Sequence, residues 1–534
     1  MAGQGPQSAS SGDDARGVAA PAAAAASGRA RVPADPVAGS AQRHQDLPGA
    51  VGRIPSSATG RPSVSALRPV TLPAGRRRGS KVIMGLLAVV TGVAGSAAFL
   101  GAPVVAARLF GPTPVWQPGR AVEPLAPVLA APADTAPTPT PGALSAILGP
   151  LVAAPGVGGH AAVSVVDVAT GQSLYSGQDT ASTPASTAKL VTAVTVLAAR
   201  GPTYRLATRV MAGRSDGEVV LVGGGDPTVT AGPNGTYPGA ARLDELAARA
   251  TAALGSTAPT RVVYDTSLFT GDQLGPGWDA DIPTGGFGAP VVALTMDGAR
   301  VDPRQTRGKA TRTDRPDLAT AQAFARALGL PASAVVAGTA APDARELARV
   351  ESPPLARIVE IMLAESDNVI AESLARQVAI ARNQPGSFAG AAAAMRSVLG
   401  ELSLPTDQFG LVDGSGLSRN DRLSAGLLTA VLTAAARHEN DRLHAVFSGL
   451  PVAGYSGTLQ ERFRTAGAGG SAAGSARAKT GTLNGISAIA GIVTDADGRT
   501  LAFAILADAV TKGTPAAQEA LDRIVAALAG CGCR

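Results

Sequence analysis

Lysine is nearly missing from this chain. Of 46 basic side chains in 534 residues, only Lys81, Lys189, Lys309, Lys479 and Lys512 are lysines, and arginine supplies the rest. Arginine stays protonated at any ordinary pH, whereas a lysine amine can be tuned to lose its proton. Chemistry that needs an amine base therefore has very few places to reside. Aromatic residues make up only 3%. The two cysteines, Cys531 and Cys533 in "AGCGCR", cannot build a disulfide framework. They read as an exposed tail with no structural role, with a tail disulfide as the alternative. The four histidines form no H-E-x-x-H, and no G-x-S-x-G occurs. Zinc hydrolase and Ser-His-Asp readings are therefore poor, and neither a metal nor a cofactor is expected.

The charge that is present is unevenly placed. Residues 1–81 hold eleven of the 46 Lys and Arg and four of the 40 Asp and Glu, leaving 35 basic against 36 acidic residues for the remainder. The pI near 9.7 is thus a property of the tail. No nucleic-acid-binding pattern accompanies it, so nucleic acid is excluded as a partner.

Residues 1–80, rich in Ala, Pro, Gly, Ser and Arg without periodicity, read as a disordered basic tail. Val82 to Ala107 contains no charged residue. As a helix this run reaches roughly 39 Å, enough for a hydrocarbon core of about 30 Å. Arg76, Arg77, Arg78 and Lys81 precede it, so a single-pass signal anchor with the tail cytoplasmic and the body extracytoplasmic is expected. A cleaved signal peptide is the alternative. Residues 108–142 form a Pro-rich linker. Beyond it, 161–177 reads as a hairpin, 485–508 as two strands, and 515–529 as a last amphipathic helix. Strands at both ends of the body with helices between suggest one sheet completed by distant parts of the chain.

Three short motifs carry chemistry. Ser186-Thr187-Ala188-Lys189 places a hydroxyl and an amine one helical turn apart, where a neutral lysine can take the serine proton. Ser366-Asp367-Asn368 follows the apolar face of Leu355, Ile358, Val359, Met362 and Leu363. It offers a second hydroxyl as a proton relay and an amide to fix a peptide group. Ser418-Arg419-Asn420 fits the same pattern, but Ser366 has the stronger helix behind it. Lys479-Thr480-Gly481-Thr482, just before the last strands, offers a cation and two hydroxyls for a carboxylate. Gly481 there lets a substrate backbone approach.

In this order the three motifs match the set shared by penicillin-binding proteins and class A β-lactamases. The sequence resembles the D-alanyl-D-alanine carboxypeptidase/endopeptidase family, the DacB-type low-molecular-mass penicillin-binding proteins. "LVGGGDPTV", "VVYDTSLFTG", "GPGW", "APVVAL", "SPPLARIVEIMLAESDNVIAESLARQV", "DGSGLSRND" and "GYSGTLQERF" extend the likeness over roughly 145–530.

The resemblance implies an α+β fold of the β-lactamase/penicillin-binding-protein transpeptidase type, an antiparallel sheet flanked by helices. Residues 143–202 and 346–530 would form the catalytic domain, with an accessory insertion at 203–345. It implies Ser186 as acylated nucleophile, Lys189 as its general base and Ser366 as relay to the departing D-alanine. Asn368, Lys479, Thr480, Gly481 and Thr482 would bind substrate, with Lys479 also holding Lys189 neutral by repulsion. The oxyanion hole would be the N–H groups of Ser186 and Thr482. Peptidoglycan stem peptides are the implied substrates and β-lactams the implied inhibitors. A β-lactamase would share the acylation step, but no E-x-x-L-N and no fitting Y-x-N occurs. A non-catalytic wall-binding scaffold is countered by the intact motifs.

Overall fold

The computed structural model describes residues 136–464 and 472–533. The expected tail and the run from Val82 to Ala107 lie outside them. Among the described residues, no helix is long and apolar enough to cross a membrane.

Strands β1 (Ala161–Asp167) and β2 (Ser173–Gly177) open the body. In chain order, β3 (Ala207–Ala212), β4 (Glu218–Val222), β5 (Arg261–Asp265), β6 (Val335–Ala337) and β7 (Glu346–Glu351) follow. β8 (Ala476–Leu483), β9 (Ile486–Thr494) and β10 (Thr500–Ala507) come last. The first sheet runs β2-β1-β10-β9-β8 and is antiparallel throughout. β1 pairs with β10 from Ala161 opposite Ala507 to Asp167 opposite Leu501, so the two ends of the body do close one sheet.

The period-2 alternation of these strands sorts side chains by size. Val163, Val165, Ile489, Leu501, Phe503 and Ile505 point to one face. They pack on α1 (Pro141–Val152) and on the last helix, Thr514–Ala529, through Leu144, Leu521 and Ile524. Ala162, Ala488, Ala490, Ala502 and Ala504 point to the other. Their small side chains let the helix Ala425–Ala436 seat closely on that face, and α2 (Lys189–Arg200) packs into the same core. Cys531 and Cys533 are joined in a disulfide and are 2% and 7% exposed within the large-residue layer. The expectation of an exposed tail fails because Cys533 C=O accepts from Thr140 N–H at 2.8 Å, tying the chain end to the start of the body.

A second sheet, β6-β5-β4-β3-β7, is mixed. β4, β5 and β6 are parallel, which requires crossovers, and α3 (Leu243–Leu254) and α4 (Pro316–Ala327) supply them. Its core is its own: Val210, Leu221, Leu246, Val262 and Phe324. β7 pairs with β3, so this sheet takes in residues up to Glu351 and the boundary expected at 345/346 falls too early. The remaining stretch of the insertion, roughly 266–314, is not part of that sheet. It lies against the motifs of the first layer.

Candidate active site

Helix α2 begins as a 3-10 turn, Ala185–Ala188, that passes into α-helix at Lys189. Residues three apart eclipse one another in a 3-10 turn. The S-x-x-K spacing therefore stacks the two side chains directly, with Lys189 Nζ 3.0 Å from Ser186 Oγ. Ala185 is held at φ 45°, a left-handed conformation unusual for a residue with a side chain. Two glycines press against this turn. A Cβ on Gly481 would sit 2.8 Å from Pro184 O and 3.0 Å from Ser186 N, and one on Gly416 would sit 1.9 Å from Ala185 O. Gly481 thus brings β8 against the backbone of Ser186.

α5 (Leu355–Ala364) and α6 (Asn368–Ala381) meet at the second motif. Asp367 caps α6, its Oδ1 accepting from the N–H groups of Val369 and Ile370 at 2.9 and 3.1 Å. Ser366, at φ 55°, turns into the same cavity as Ser186, and Asn368 lies beside it. Asn368 Nδ2 donates to Phe287 C=O at 2.8 Å, and its Oδ1 accepts from Lys189 Nζ at 2.6 Å. The rival Ser418 is fully buried and donates to Pro276 C=O at 2.6 Å, which is a structural role.

Lys189 is completely buried. Burial lowers its pKa from the ordinary lysine value to about 8, against the opposing pull of Asp413, Glu372, Asp367 and Asp421. A neutral amine has two N–H groups and one lone pair. Asn368 Oδ1 and the C=O of Ser415, both at 2.6 Å, can only accept, so they take the two N–H groups. The lone pair is left facing the Ser186 hydroxyl. That is the arrangement a general base requires.

Lys479 is also fully buried and donates to Thr480 C=O at 2.7 Å, while Thr480 and Thr482 reach the cavity surface. Burial first, then the neighbouring Lys189 charge, push its pKa well below the usual lysine range. For Lys189 itself, burial is the leading cause of the depressed pKa. Thr480 Oγ1 lies 2.8 Å from Thr458 Oγ1, which fixes its rotamer at the wall.

The cavity, about 620 Å³, is walled on one side by Ser186, Ser366, Asn368, Thr480 and Thr482 and on the other by insertion residues including Asp281, Phe287 and Lys309. Sequence reasoning missed the insertion's hold on the second motif. Asp367 Oδ2 accepts from Tyr237 OH at 2.8 Å and from Arg300 Nη2 at 3.1 Å, with all three residues at most 6% exposed. Burial alone would raise the Asp367 pKa. The charges of Arg300 and Arg312 and the Tyr237 hydrogen bond outweigh it and hold the carboxyl below its ordinary value. Tyr237 and Arg300 stand 130 and 67 residues from Asp367, and no local pattern marks them. Among the described residues, no group of His, Cys, Asp or Glu could hold a metal ion.

The family model described as D-Ala-D-Ala carboxypeptidase 3 (S13) matches residues 144–327 and, overlapping, 304–529. The chain belongs to this family. A carboxypeptidase of Mycobacterium tuberculosis is 40% identical over 408 residues, covering 75% of this chain and 87% of that protein. Carboxypeptidase DacB of Mycolicibacterium smegmatis is 39% identical over 466 residues, covering 86% and 98%. The crystal structure of penicillin binding protein 4 (dacB) from Haemophilus influenzae superposes with a TM-score of 0.59 at 23% identity. It covers 70% of this chain and 97% of that one, and it shares the α+β penicillin-binding fold.

Proposed function

We infer that this S13 peptidase is a serine-type D-alanyl-D-alanine carboxypeptidase that works through an acyl-enzyme on Ser186. The observation that carries this reading is the lone pair of a buried, three-contact Lys189 aimed at Ser186 Oγ from 3.0 Å. Lys189 takes the hydroxyl proton as Oγ attacks the penultimate D-alanine carbonyl. Negative charge develops on the carbonyl oxygen beside the N–H of Ser186, one of the first N–H groups of a helical turn and so without a carbonyl partner inside it. The N–H of Thr482, on the strand that Gly481 draws close, is the second donor. Ser366 relays the proton to the departing amine, and Asn368 holds the peptide. Thr480 and Thr482 take the terminal carboxylate, with the buried Lys479 behind them. Water then releases the acyl group. β-Lactams acylate the same serine.

The substrates on this reading are peptidoglycan stem peptides. Cleavage of cross-links would use the same acyl-enzyme, and assaying free D-alanine against released stem peptides separates the two. The charge-free run 82–107 behind its basic cluster supports a single membrane anchor with the catalytic body outside the cytoplasm. The Cys531–Cys533 disulfide suits an oxidising compartment. Protease protection of the body in intact cells tests this topology.

The acyl-enzyme is tested by incubating the protein with a fluorescent penicillin and mapping the labelled peptide by mass spectrometry. A long-lived adduct on Ser186, absent from Ser186→Ala, is expected. Rapid turnover of the drug would favour a β-lactamase, and no adduct on folded protein a wall-binding scaffold.

A further inference from the structure

The lone pair of Lys189 faces Ser186 only while the Ser415 carbonyl keeps its place. That carbonyl shares a peptide unit with Gly416 N–H, which donates to Asp413 Oδ1 at 2.7 Å. The same oxygen accepts from Ser415 N–H at 3.1 Å. Asp413 Oδ2 accepts from Ser418 N–H and from Trp278 Nε1, each at 2.8 Å. Four donors thus converge on a carboxyl group that is 1% exposed. A peptide N–H donating to an anion polarises its own carbonyl and makes it a stronger acceptor. Glu372 braces the preceding two units, accepting from Gly414 N–H at 3.0 Å and Ser415 N–H at 2.8 Å. The loop cannot drift toward the nucleophile, because Gly416 is already packed on Ala185 C=O.

We propose that Asp413 is a positioning residue for the general base: it locks the Ser415–Gly416 peptide so that Lys189 presents its lone pair to Ser186, and its carboxyl group acts on that amine against the effect of burial. The inference rests on the reading of Lys189 as base. It also makes Trp278, from the insertion, a remote support of the nucleophile's activation.

The charged and titratable groups around Lys189 are Asp413 and Asp421 from the loop, Asp367 and Glu372 from α6 and its cap, and Lys479 from β8. Asp413 heads the carboxylates that favour the protonated amine. Only neutral Lys189 can accept the serine proton, so acylation falls as pH drops below about 8. Removing the Asp413 charge lowers the amine's proton affinity and moves this acid limb to lower pH.

The test is the rate of acylation by a fluorescent penicillin from pH 5 to 10 in the full chain and its variants. Asp413→Asn should shift the acid limb down by about 1 pH unit, as expected for loss of a nearby opposite charge. It should also lower the plateau about 10-fold through misplacement of the base. Asp413→Glu keeps the charge, so its limb should stay at the wild-type pH even where its plateau drops. A folded Asp413→Asn protein with an unmoved limb overturns the proposal, because a merely structural role would lower the rate without moving the limb. If Asp413→Asn does not fold, Trp278→Phe removes a single donor from the same carboxylate. A several-fold lower plateau at an unchanged melting temperature supports the proposal, and an unchanged plateau overturns it. Wild-type protein that takes no penicillin would overturn the acyl-enzyme reading, and this proposal with it. The variant results bear on Asp413 alone.

Discussion

Among the described residues, each of the two sheets belongs to a region with a deeply buried arginine–aspartate pair, and the pairs do different things. In the first sheet Arg499 clasps Asp167, the side chains 6% and 0% exposed. In the insertion Arg300 reaches out of its own region to Asp367, at 4% and 1%. The register places the first pair far from the chemistry. Thr480 and Thr482 lie opposite Ile489 and Ser487, and through β10 these align with the start of β1, whereas Asp167 ends β1. The Arg499 pair fastens the far end of a sheet, while the Arg300 pair fastens the residue between Ser366 and Asn368. The insertion contributes neither Ser186 nor Lys189, yet it holds the second motif through Tyr237 and Arg300.

Variants of these contacts can break or sharpen the comparison. Arg300→Met should have the largest effect. It leaves the Asp367 carboxylate buried with a tyrosine hydroxyl and two amides as donors and only Arg312 as a nearby positive charge, a loss of about 3–5 kcal/mol of stability. Penicillin acylation of the protein that remains folded should slow by about 10-fold or more as Ser366 and Asn368 lose their seat. Arg499→Met should cost a similar amount in thermal melts, but acylation per folded molecule should stay within about 2-fold of wild type, because the sites are distant and share no partners. Acylation slowed equally by both would dissolve the distinction and reduce the Arg300 pair to general stability. The smallest effect is expected from Tyr237→Phe. It removes a hydroxyl that donates to Asp367 at 2.8 Å and accepts from Arg300 Nη1 at 2.6 Å, a loss of about 1.5–3 kcal/mol, while the direct Arg300–Asp367 contact keeps the motif in place. Its acylation rate should fall between wild type and Arg300→Met.

Much of the site was legible because its chemistry is local. Ser186 and Lys189 are three residues apart, so helical geometry brings them together whatever the rest of the chain does. With so little lysine present, a second lysine in K-T-G before the final strands stood out. The alternation of Val163, Val165, Phe503 and Ile505 with small residues announced strands at both ends of the body. The insertion's end was misjudged because β7 carries the same alternation as any half-buried strand. Only its pairing with β3 assigns it to the second sheet. The cysteines looked exposed because a chain end gives no sign of what it packs on.

The sequence by itself determined the candidate groups, their order and the class of chemistry, since those depend on residue type and on spacings of two or three positions. Tertiary structure decided the surroundings that shift their proton affinities. Burial of Lys189 and Lys479, four carboxylates gathered from α6, its cap and a loop, and Arg300 reaching in from the insertion are all long-range facts. Electrostatic energies depend on distance in space and on exclusion of water, and neither can be read from separation along the chain.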